Sequence, residues 1–153
     1  MTRRIVAALI LSVFPLLSCT EDSRRLSVIR DIEYARVGEH ALKLDLHLPI
    51  EKPRSPVSVW IHGGAWRSGS KSGMPLGKLI DEGYASASVD YRLSTEAKFP
   101  AQIHEIKAAP RFLRGHGGDW RVPSKKILIA GDSAGAHLAA PNNCAPATAF
   151  SSP

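Results

Sequence analysis

The sequence has few cysteines and no long apolar segment. Cys19 and Cys144 are its only cysteines, which argues against a disulfide framework, and no group of His and Cys has the spacing of a metal site. The longest apolar run, Ile5 to Leu17, has thirteen residues, too few to span a bilayer core of about 30 Å as a helix. Internal repeats are absent, and so is a basic stripe with interleaved aromatic residues, which argues against nucleic-acid binding.

The rest of the composition is typical of a soluble globular domain. The chain has 153 residues, of which 44% are hydrophobic and 22% are charged. This length allows one domain with a sizeable core, and this balance of residues argues against wholesale disorder. The net charge of +6 is scattered along the chain. Such a protein takes its stability from its hydrophobic core.

The N-terminal segment has the layout of an export signal. A pair of arginines precedes the apolar run, which ends in the letters LLSC. A positive start and a short apolar stretch are typical of a secretory signal peptide. The letters LLSC resemble the lipobox of bacterial lipoproteins, which implies a signal peptide over residues 1–18, a lipid on Cys19 and a polar tether over 19–31. We therefore expect an exported protein, anchored to the membrane by lipid on the periplasmic or cell-envelope side; the alternative is a plain signal peptide with an incidental cysteine.

Two strands joined by a short turn follow the tether. We predict the first over Ile32–Val37 and the second over residues 40–49, where four leucines alternate with charged residues and a histidine. This period of two predicts one buried face and one solvated face, with Asp45 and His47 on the solvated face. A Gly-Glu pair between the strands would form the hairpin turn.

Three strongly apolar segments predict strands that are covered on both faces. Segments with helical character separate them. Strands that alternate with helices predict an α/β fold, with a mostly parallel sheet and helices on both faces. The interior strands are predicted over residues 56–62, 84–91 and 125–131, and the helices over 74–82 and 100–114.

The letters GDSAG (131–135) have the form G-x-S-x-G, directly after a predicted strand and before a segment of small residues. In this context the serine lies on a sharp strand-to-helix turn, for which the two glycines leave room. The hydroxyl of Ser133 would then project beyond the carboxyl edge of the sheet. The N–H of Ala134, at the helix N-terminus, would point to the place where an oxyanion forms.

A second motif, HGGAW (62–66), follows the first apolar strand. Its two glycines let the backbone turn and present N–H groups to a bound carbonyl oxygen. Alone, the motif would be a glycine turn at the end of a strand. Together with GDSAG it favours an oxyanion loop.

These motifs come in the order of a known family. Over residues 32–140 the sequence resembles the α/β-hydrolase fold, and within it the esterase and lipase group related to hormone-sensitive lipase and bacterial carboxylesterases. The segments that carry the resemblance are WIHGGAW, SVDYRLSTEAKFPAQIHEIKAAPRFLR and ILIAGDSAGAHLAA. The resemblance implies that Ser133 is a nucleophile that attacks a small-molecule ester, with no metal ion and no cofactor.

The resemblance also implies roles for the residues around the nucleophile. The oxyanion hole would consist of the backbone N–H groups of Gly63, Gly64 and Ala134. Ala65 is a possible replacement for one glycine, and His62 would orient the loop. Asp132 would be a neighbour of the nucleophile without a triad role, and Asp90 and Arg92 would fix nearby loops.

The partners that should activate Ser133 are missing from the sequence. In this fold an acid and then a histidine follow the nucleophile along the chain. Residues 134–153 contain no Asp or Glu, and their only histidine is His137. We predict His137 to be packed against the helix body as a structural histidine. The remaining histidines are predicted to be surface residues: His40, His47, His104 and His116.

The resemblance stops at Pro141, where the letters PNNCAPATAFSSP show no apolar period. We therefore expect a partial α/β-hydrolase domain over residues 32–140, C-terminally truncated, and an unstructured tail over 141–153. The favoured function is a carboxylesterase-type serine hydrolase, impaired by the absence of the triad Asp and His. Two alternatives stay open: a non-catalytic truncated remnant of such an enzyme, and a peptidase or arylformamidase on the same fold. The sequence makes no prediction of the oligomeric state.

Overall fold

The first two strands form an antiparallel hairpin. The computed structural model describes residues 26–51 and 53–143. β1 (Leu26–Val37) and β2 (His40–Pro49) pair from end to end and are joined by a two-residue turn. The turn begins at Gly38, whose φ of 59° is accessible to glycine without steric cost. The hairpin that the leucine alternation predicted is confirmed.

β1 begins earlier than the sequence predicted. Its ladder to β2 starts at Leu26, so residues 26–31 belong to the sheet. The prediction of a tether over 19–31 is wrong for that part, because pairing with a buried partner strand outweighs the polar composition of the segment. The rest of the tether, Cys19 and the predicted signal peptide lie outside the described residues.

Three further strands complete a five-stranded mixed sheet in the described part of the chain. They are β3 (Arg54–Ile61), β4 (Tyr84–Val89) and β5 (Ile127–Gly131). The strand order is β1-β2-β4-β3-β5, and the pairs β3–β4 and β3–β5 are parallel, whereas β1–β2 and β2–β4 are antiparallel. All three predicted interior strands are present. Both motifs follow parallel strands that pair directly, so they meet at one edge of the sheet.

Helices cover both faces of the sheet, as predicted. α1 (Gly77–Asp81) contacts β4 and β2, α2 (Ala101–His116) follows β4, and α3 (Ala134–Asn143) follows β5. α2 and α3 contribute to the main core cluster, whereas the buried Ile80 of α1 does not, which places α1 on the opposite face. No helix in the described part of the chain is long and apolar enough to cross a membrane.

The core lies between the sheet and the helices α2 and α3. It is built from aliphatic side chains at alternate positions of the strands and from one stripe of each helix. Pro110 is buried inside α2, and the helix continues through it. Fully buried side chains include Leu42, Leu44, Leu46, Val57, Val59, Ile61, Val89, Ile106, Leu113 and Leu138.

The polar face of β2 is not solvated, contrary to the prediction. Asp45 is 1% exposed, and His47 is half-buried. α1 contacts this strand, and the segment before α1 brings the Lys71 ammonium within 3.0 Å of Asp45 Oδ1. The alternation along a strand shows which residues share a face, but it does not show whether another segment covers that face.

α3 continues past the point where the sequence predicted coil. Pro141 lies inside the last part of the helix, which ends at Asn143. The side chain of Asn142 donates a hydrogen bond to the Leu138 carbonyl at 2.7 Å, which gives the last turn a further polar contact. The prediction of an unstructured tail over 141–153 is wrong for its first three residues, and the rest lies outside the described residues.

Candidate active site

Ser133 lies on a sharp turn between β5 and α3. Its φ is 48°, in the left-handed region that residues with a Cβ seldom adopt. The turn packs directly on the end of β3. A Cβ on Gly131 would lie 2.6 Å from the Ile61 carbonyl oxygen, and one on Gly135 would overlap the same atom. Only glycine fits at these two positions, and Ser133 is left exposed at the carboxyl edge of the sheet.

The first turn of α3 leaves a free donor beside the serine. The Asp132 carbonyl accepts from the N–H of Gly135 at 2.7 Å, and the Ser133 carbonyl accepts from the N–H of His137 at 3.1 Å. The N–H of Ala134 has no acceptor among the described residues. Because it lies at a helix N-terminus, where partial positive charge accumulates, it suits a developing anion.

The glycine loop after β3 is tied to this turn. Gly63 donates its N–H to Asp132 Oδ1 at 2.7 Å. A Cβ on Gly63 would lie 2.7 Å from Asp132 Oδ2, so only glycine allows this approach. The sequence predicts Gly63 as an oxyanion donor, but this bond already commits its N–H to a carboxylate. The N–H groups of Gly64 and Ala65 have no acceptor in the described part of the chain and are available as donors.

His62 is buried at the start of the loop. Its ring stacks on that of Tyr91 with 4.5 Å between centroids, and its Nδ1 lies 2.8 Å from the Gly63 carbonyl oxygen. Because a carbonyl oxygen only accepts, Nδ1 carries the proton in this contact. The Tyr91 hydroxyl donates to the His62 carbonyl at 3.0 Å. Burial and, to a smaller extent, the charge of Asp132 raise the pKa of Tyr91 to about 12, so it stays a neutral donor.

The loop turns back through three consecutive residues with positive φ. Gly64, Ala65 and Trp66 have φ values of 105°, 53° and 60°. The Gly64 carbonyl accepts from the N–H groups of Arg67 and Ser68 at 3.0 and 3.1 Å, which closes the turn. A left-handed backbone costs a residue with a Cβ about 1–2 kcal/mol. The contacts around the loop must therefore hold Ala65 and Trp66 in place.

An apolar cavity opens beside the loop. Its volume is about 350 Å³, and its lining is mainly apolar with a few polar side chains: Ala65, Trp66, Arg67, Ser94, Phe99, Gln102 and His137. The rings of Trp66 and His137 meet edge to face, with 5.5 Å between centroids. His137 is exposed, and the prediction that it packs against the helix body is wrong, because its position on α3 faces the loop rather than the sheet. Phe99 is 68% exposed and offers a further apolar surface at the cavity.

Two residues after β4 fix the neighbouring segments, as the resemblance implied. Asp90 Oδ1 accepts from the backbone N–H of Lys71 at 2.7 Å. Arg92 donates from its Nε to Glu105 Oε1 at 2.5 Å and from its backbone N–H to Glu105 Oε2 at 2.8 Å. Glu105 is buried on α2, so this pair ties the segment after β4 to the helix.

The remaining histidines are not bonded to the serine. His40, His104 and His116 are exposed, as predicted, whereas His47 is half-buried with its Nε2 3.3 Å from Ser88 Oγ. Burial lowers the pKa of His47. Among the residues that the structure describes, no hydrogen bond joins the Ser133 hydroxyl to a histidine or a carboxylate, and no three potential metal ligands form a cluster.

Two contacts of the site were not predicted from the sequence. The motif places Asp132 beside Ser133, but the bond from Asp132 to Gly63 joins residues 69 positions apart. The sequence did contain a signal for this bond: an acidic residue inside G-x-S-x-G and a glycine loop after a parallel strand. The contact of Lys71 with Asp45 had no signal in the sequence, because no motif links these two segments.

Comparison with known proteins identifies a matching protein family and several similar proteins. Residues 44–146 match the family model described as BD-FAE. The esterase LipQ of Mycobacterium tuberculosis is 36% identical over 115 residues, which cover 72% of this chain and 27% of LipQ. The similarity to this relative therefore concerns most of the present chain and a minor part of the relative.

Solved structures show the same relationship. The bifunctional GH43-CE of Bacteroides eggerthii has a TM-score of 0.65 and 38% identity, over 73% of this chain and 16% of that protein. The thermophilic esterase Est2 of Thermogutta terrifontis has a TM-score of 0.66 and 30% identity, over 76% of this chain and 43% of its own. The chain spans less than half the length of each of these three relatives. Since the family model covers more than half of the chain and the related structures share its fold, the chain belongs to the BD-FAE family of α/β-hydrolase esterases.

Proposed function

We propose that Ser133 is the nucleophile of a carboxylic ester hydrolase. The observation that carries the proposal is its left-handed backbone, with φ of 48°, on a turn that the Gly63–Asp132 bond holds against the glycine loop. A turn of this kind lifts the hydroxyl clear of the helix, where the oxygen can attack a carbonyl carbon. Attack gives a tetrahedral intermediate, the alcohol leaves, and water hydrolyses the resulting acyl-enzyme.

The oxyanion hole in this proposal uses three backbone N–H groups, those of Gly64, Ala65 and Ala134. Two belong to the loop and one to α3, so they approach the developing charge from two sides, and the helix N-terminus adds positive potential. Gly63 has a different part in this proposal, because its N–H sets the position of the loop through Asp132. His62 supports the loop from behind through its stack on Tyr91.

Rapid turnover also needs a base that takes the proton of the serine hydroxyl. His137 is the only histidine after Ser133 in the sequence, and its ring lies against Trp66 rather than in a bond to the serine. No acidic residue follows Ser133 in the sequence. We therefore propose that this chain alone hydrolyses esters far more slowly than an enzyme with a complete triad, and a non-catalytic role is the alternative.

The substrate class that we propose is a small carboxylic ester. LipQ and Est2 are both named esterases, and the apolar cavity beside Ala65 suits an uncharged acyl or alcohol group. A peptidase or an arylformamidase on this fold would release an amine, a poorer leaving group that depends more strongly on a general acid. Parallel assays of a p-nitrophenyl ester, an anilide and an N-formyl aniline compound separate these possibilities.

We further propose that the chain is exported and anchored through a lipid on Cys19. The support is the arginine pair, the short apolar run and the letters LLSC in the sequence. An envelope location would bring the proposed site into contact with esters outside the cytoplasm.

Covalent labelling tests the nucleophile. The chain is incubated for hours with a fluorophosphonate probe, and the modified peptide is mapped by mass spectrometry. We expect slow labelling at Ser133, none in Ser133→Ala, and wild-type labelling in Ser72→Ala, which removes an exposed hydroxyl outside the cavity. Equal labelling of wild type and Ser133→Ala would contradict the proposal.

A further inference from the structure

We propose that Lys71 is a positioning residue that holds the oxyanion loop in place through three carboxylates. The proposal rests on the proposed function, because that loop supplies two of the three oxyanion donors. Lys71 lies in the segment that follows the loop and leads to α1. Its role would be to fix the return path of the chain, so that the loop keeps its strained backbone.

Lys71 is bonded to three different parts of the sheet. Its ammonium lies 3.0 Å from Asp45 Oδ1 on β2 and 3.2 Å from Asp31 Oδ1 on β1. Its backbone N–H donates to Asp90 Oδ1, just after β4, at 2.7 Å. One residue of a largely exposed segment is thereby attached to two strands and to the residue that follows a third.

Two charges of this cluster, those of Lys71 and Asp45, are shielded from solvent. The side chains of Lys71 and Asp45 are 12% and 1% exposed. Burial alone would raise the pKa of Asp45, but the hydrogen bond from the Asp31 N–H and the Lys71 ammonium outweigh it and hold the pKa below its ordinary value. Burial would likewise lower the pKa of Lys71, and its two carboxylate partners raise it instead. Loss of the ammonium would leave the Asp45 carboxylate buried, and the cationic partner that remains among the described residues is the largely exposed Arg30 at 3.4 Å.

The backbone conformation of Asp31 favours this contact. It lies where the register of β1 shifts, and its φ of 57° is unfavourable for a residue with a Cβ. Its backbone N–H donates to Asp45 Oδ1 at 2.9 Å, while its carboxylate accepts from Lys71. The irregular backbone of β1 thus directs two polar groups into one cluster.

The position of Lys71 is transmitted to the loop through Gly69. A Cβ on Gly69 would overlap His62 Nδ1 and would lie 2.6 Å from the Gly63 carbonyl oxygen, so this segment packs tightly against the base of the loop. A shift of the segment would release His62 and Gly63 together. Because the Gly63 bond to Asp132 sets the loop against the serine turn, the oxyanion donors would lose their common position.

Fluorine NMR tests this inference without any need for turnover. The chain is labelled with 5-fluorotryptophan, which reports on Trp60 in β3, Trp66 in the loop and Trp120 after α2. The spectrum of Trp66→Phe assigns the loop signal. Lys71→Met removes the ammonium and keeps most of the side-chain length. We expect it to shift or broaden the Trp66 signal and to leave the Trp120 signal unchanged.

Control variants and a hydrogen-exchange measurement show whether a change of the Trp66 signal is specific to Lys71. Lys78→Met removes an exposed lysine of α1 and should leave all three signals as in the wild type. Lys71→Arg keeps the charge and should bring the Trp66 signal back towards its wild-type position. Hydrogen exchange of the Gly63 N–H should become about tenfold faster in Lys71→Met, because local opening of the loop breaks its bond to Asp132.

A Trp66 signal and a Gly63 exchange rate in Lys71→Met that match those of Lys78→Met overturn the proposal. If Lys71→Met loses the Trp120 signal as well, the variant has unfolded, and Asp31→Asn decides instead. That variant removes the 58% exposed carboxylate that Lys71 contacts at 3.2 Å and Lys43 approaches at 3.9 Å. It must move the Trp66 signal, whereas Lys43→Met must not, and an unmoved signal in Asp31→Asn overturns the proposal. Absence of fluorophosphonate labelling at Ser133 would contradict the proposed function but not the positioning of the loop by Lys71.

Discussion

Gly63 and Asp132 connect the two halves of the candidate site, since the N–H of Gly63 lies 2.7 Å from Asp132 Oδ1 across 69 positions of sequence. The bond holds the loop at the end of β3 against the turn at the end of β5. It also gives a physical reason for glycine at position 63, where a Cβ would lie 2.7 Å from the carboxylate. Asp132 therefore acts on the backbone of the loop.

Asp132→Ala should destabilise the chain. The change leaves the Gly63 N–H without its acceptor, and loss of a hydrogen bond to a charged group costs about 1–3 kcal/mol. Asp132→Asn keeps an acceptor oxygen and should cost less. The midpoint of urea unfolding measures both, with Asp119→Ala as the control for loss of an exposed carboxylate. Equal midpoints for Asp132→Ala and Asp119→Ala would contradict this expectation.

Gly135→Ala should be strongly unfavourable. The added Cβ would overlap the Ile61 carbonyl oxygen, so the serine turn must move away from β3, at a cost of about 1–3 kcal/mol. Gly115→Ala is the matched control, because a Cβ at that helical position meets no atom within 4 Å. It should stabilise the chain by up to about 1 kcal/mol through helix propensity. Thermal unfolding of the two variants should therefore shift in opposite directions.

Ester turnover by this chain should be slow, because no acidic residue and a single histidine follow Ser133 in the sequence. An oxyanion hole without triad members retains at most about 10³–10⁴-fold of rate over water, which is far below the acceleration by a complete triad. We expect p-nitrophenyl acetate hydrolysis by the chain to be far slower than by a complete family member. A chimera that carries the C-terminal half of a close family member in place of residues 141–153 should turn over rapidly. Ser133→Ala should abolish the activity of the chimera, and a rapid stoichiometric burst from the unmodified chain would show that a base is already present.

Acid should weaken the fold through Asp45. Burial works against its charge, but its hydrogen bonds lower the folded-state pKa below the unfolded value of about 3.9. The unfolded chain then binds more protons, so the contribution of Asp45 is present above that value and is lost as the pH falls through the folded-state pKa. Urea midpoints measured from neutral pH down to about pH 2 should fall less steeply in Asp45→Asn than in the wild type. Parallel curves for the two proteins would show that other carboxylates cause the loss.

Cys19 should carry lipid when the full chain is made in a Gram-negative host. The prediction follows from the charged start, the short apolar run and the letters LLSC. Incorporation of labelled palmitate, followed by gel fluorography, measures it. Cys144→Ser is the control and should label like the wild type, whereas Cys19→Ser should not label. Equal labelling of Cys19→Ser would show that the cysteine is incidental.

The strands and the two motifs could be predicted because their signals are local. The alternation of leucines in β2 and the apolar run in β3 each follow from a few neighbouring residues, and so does the strand-to-helix turn at Ser133. The burial of Asp45 could not be predicted this way. It depends on Lys71, which reaches β2 from a separate segment of the chain.

For the same reason, the sequence only partly predicted which backbone N–H groups of the site are free to donate a hydrogen bond. The sequence shows which residues are glycines, but it does not show which backbone N–H groups are already hydrogen-bonded to another part of the chain. The Gly63 N–H is bonded to Asp132, whereas the N–H groups of Gly64 and Ala65 have no acceptor among the described residues. His137 was mispredicted for a similar reason. The helical pattern shows on which side of α3 it lies, but not that the loop with Trp66 runs past that side.

The pairing of β5 with β3 has a consequence for the order in which the molecule assembles. β1 and β2 are neighbours in sequence, whereas Ile61 pairs with Gly131 only after a long stretch of chain has closed into a loop. Contacts between distant segments form late, since loop closure costs entropy before the pairing can offset it. The hairpin should therefore be an early structure, and the left-handed serine should appear among the last features to form.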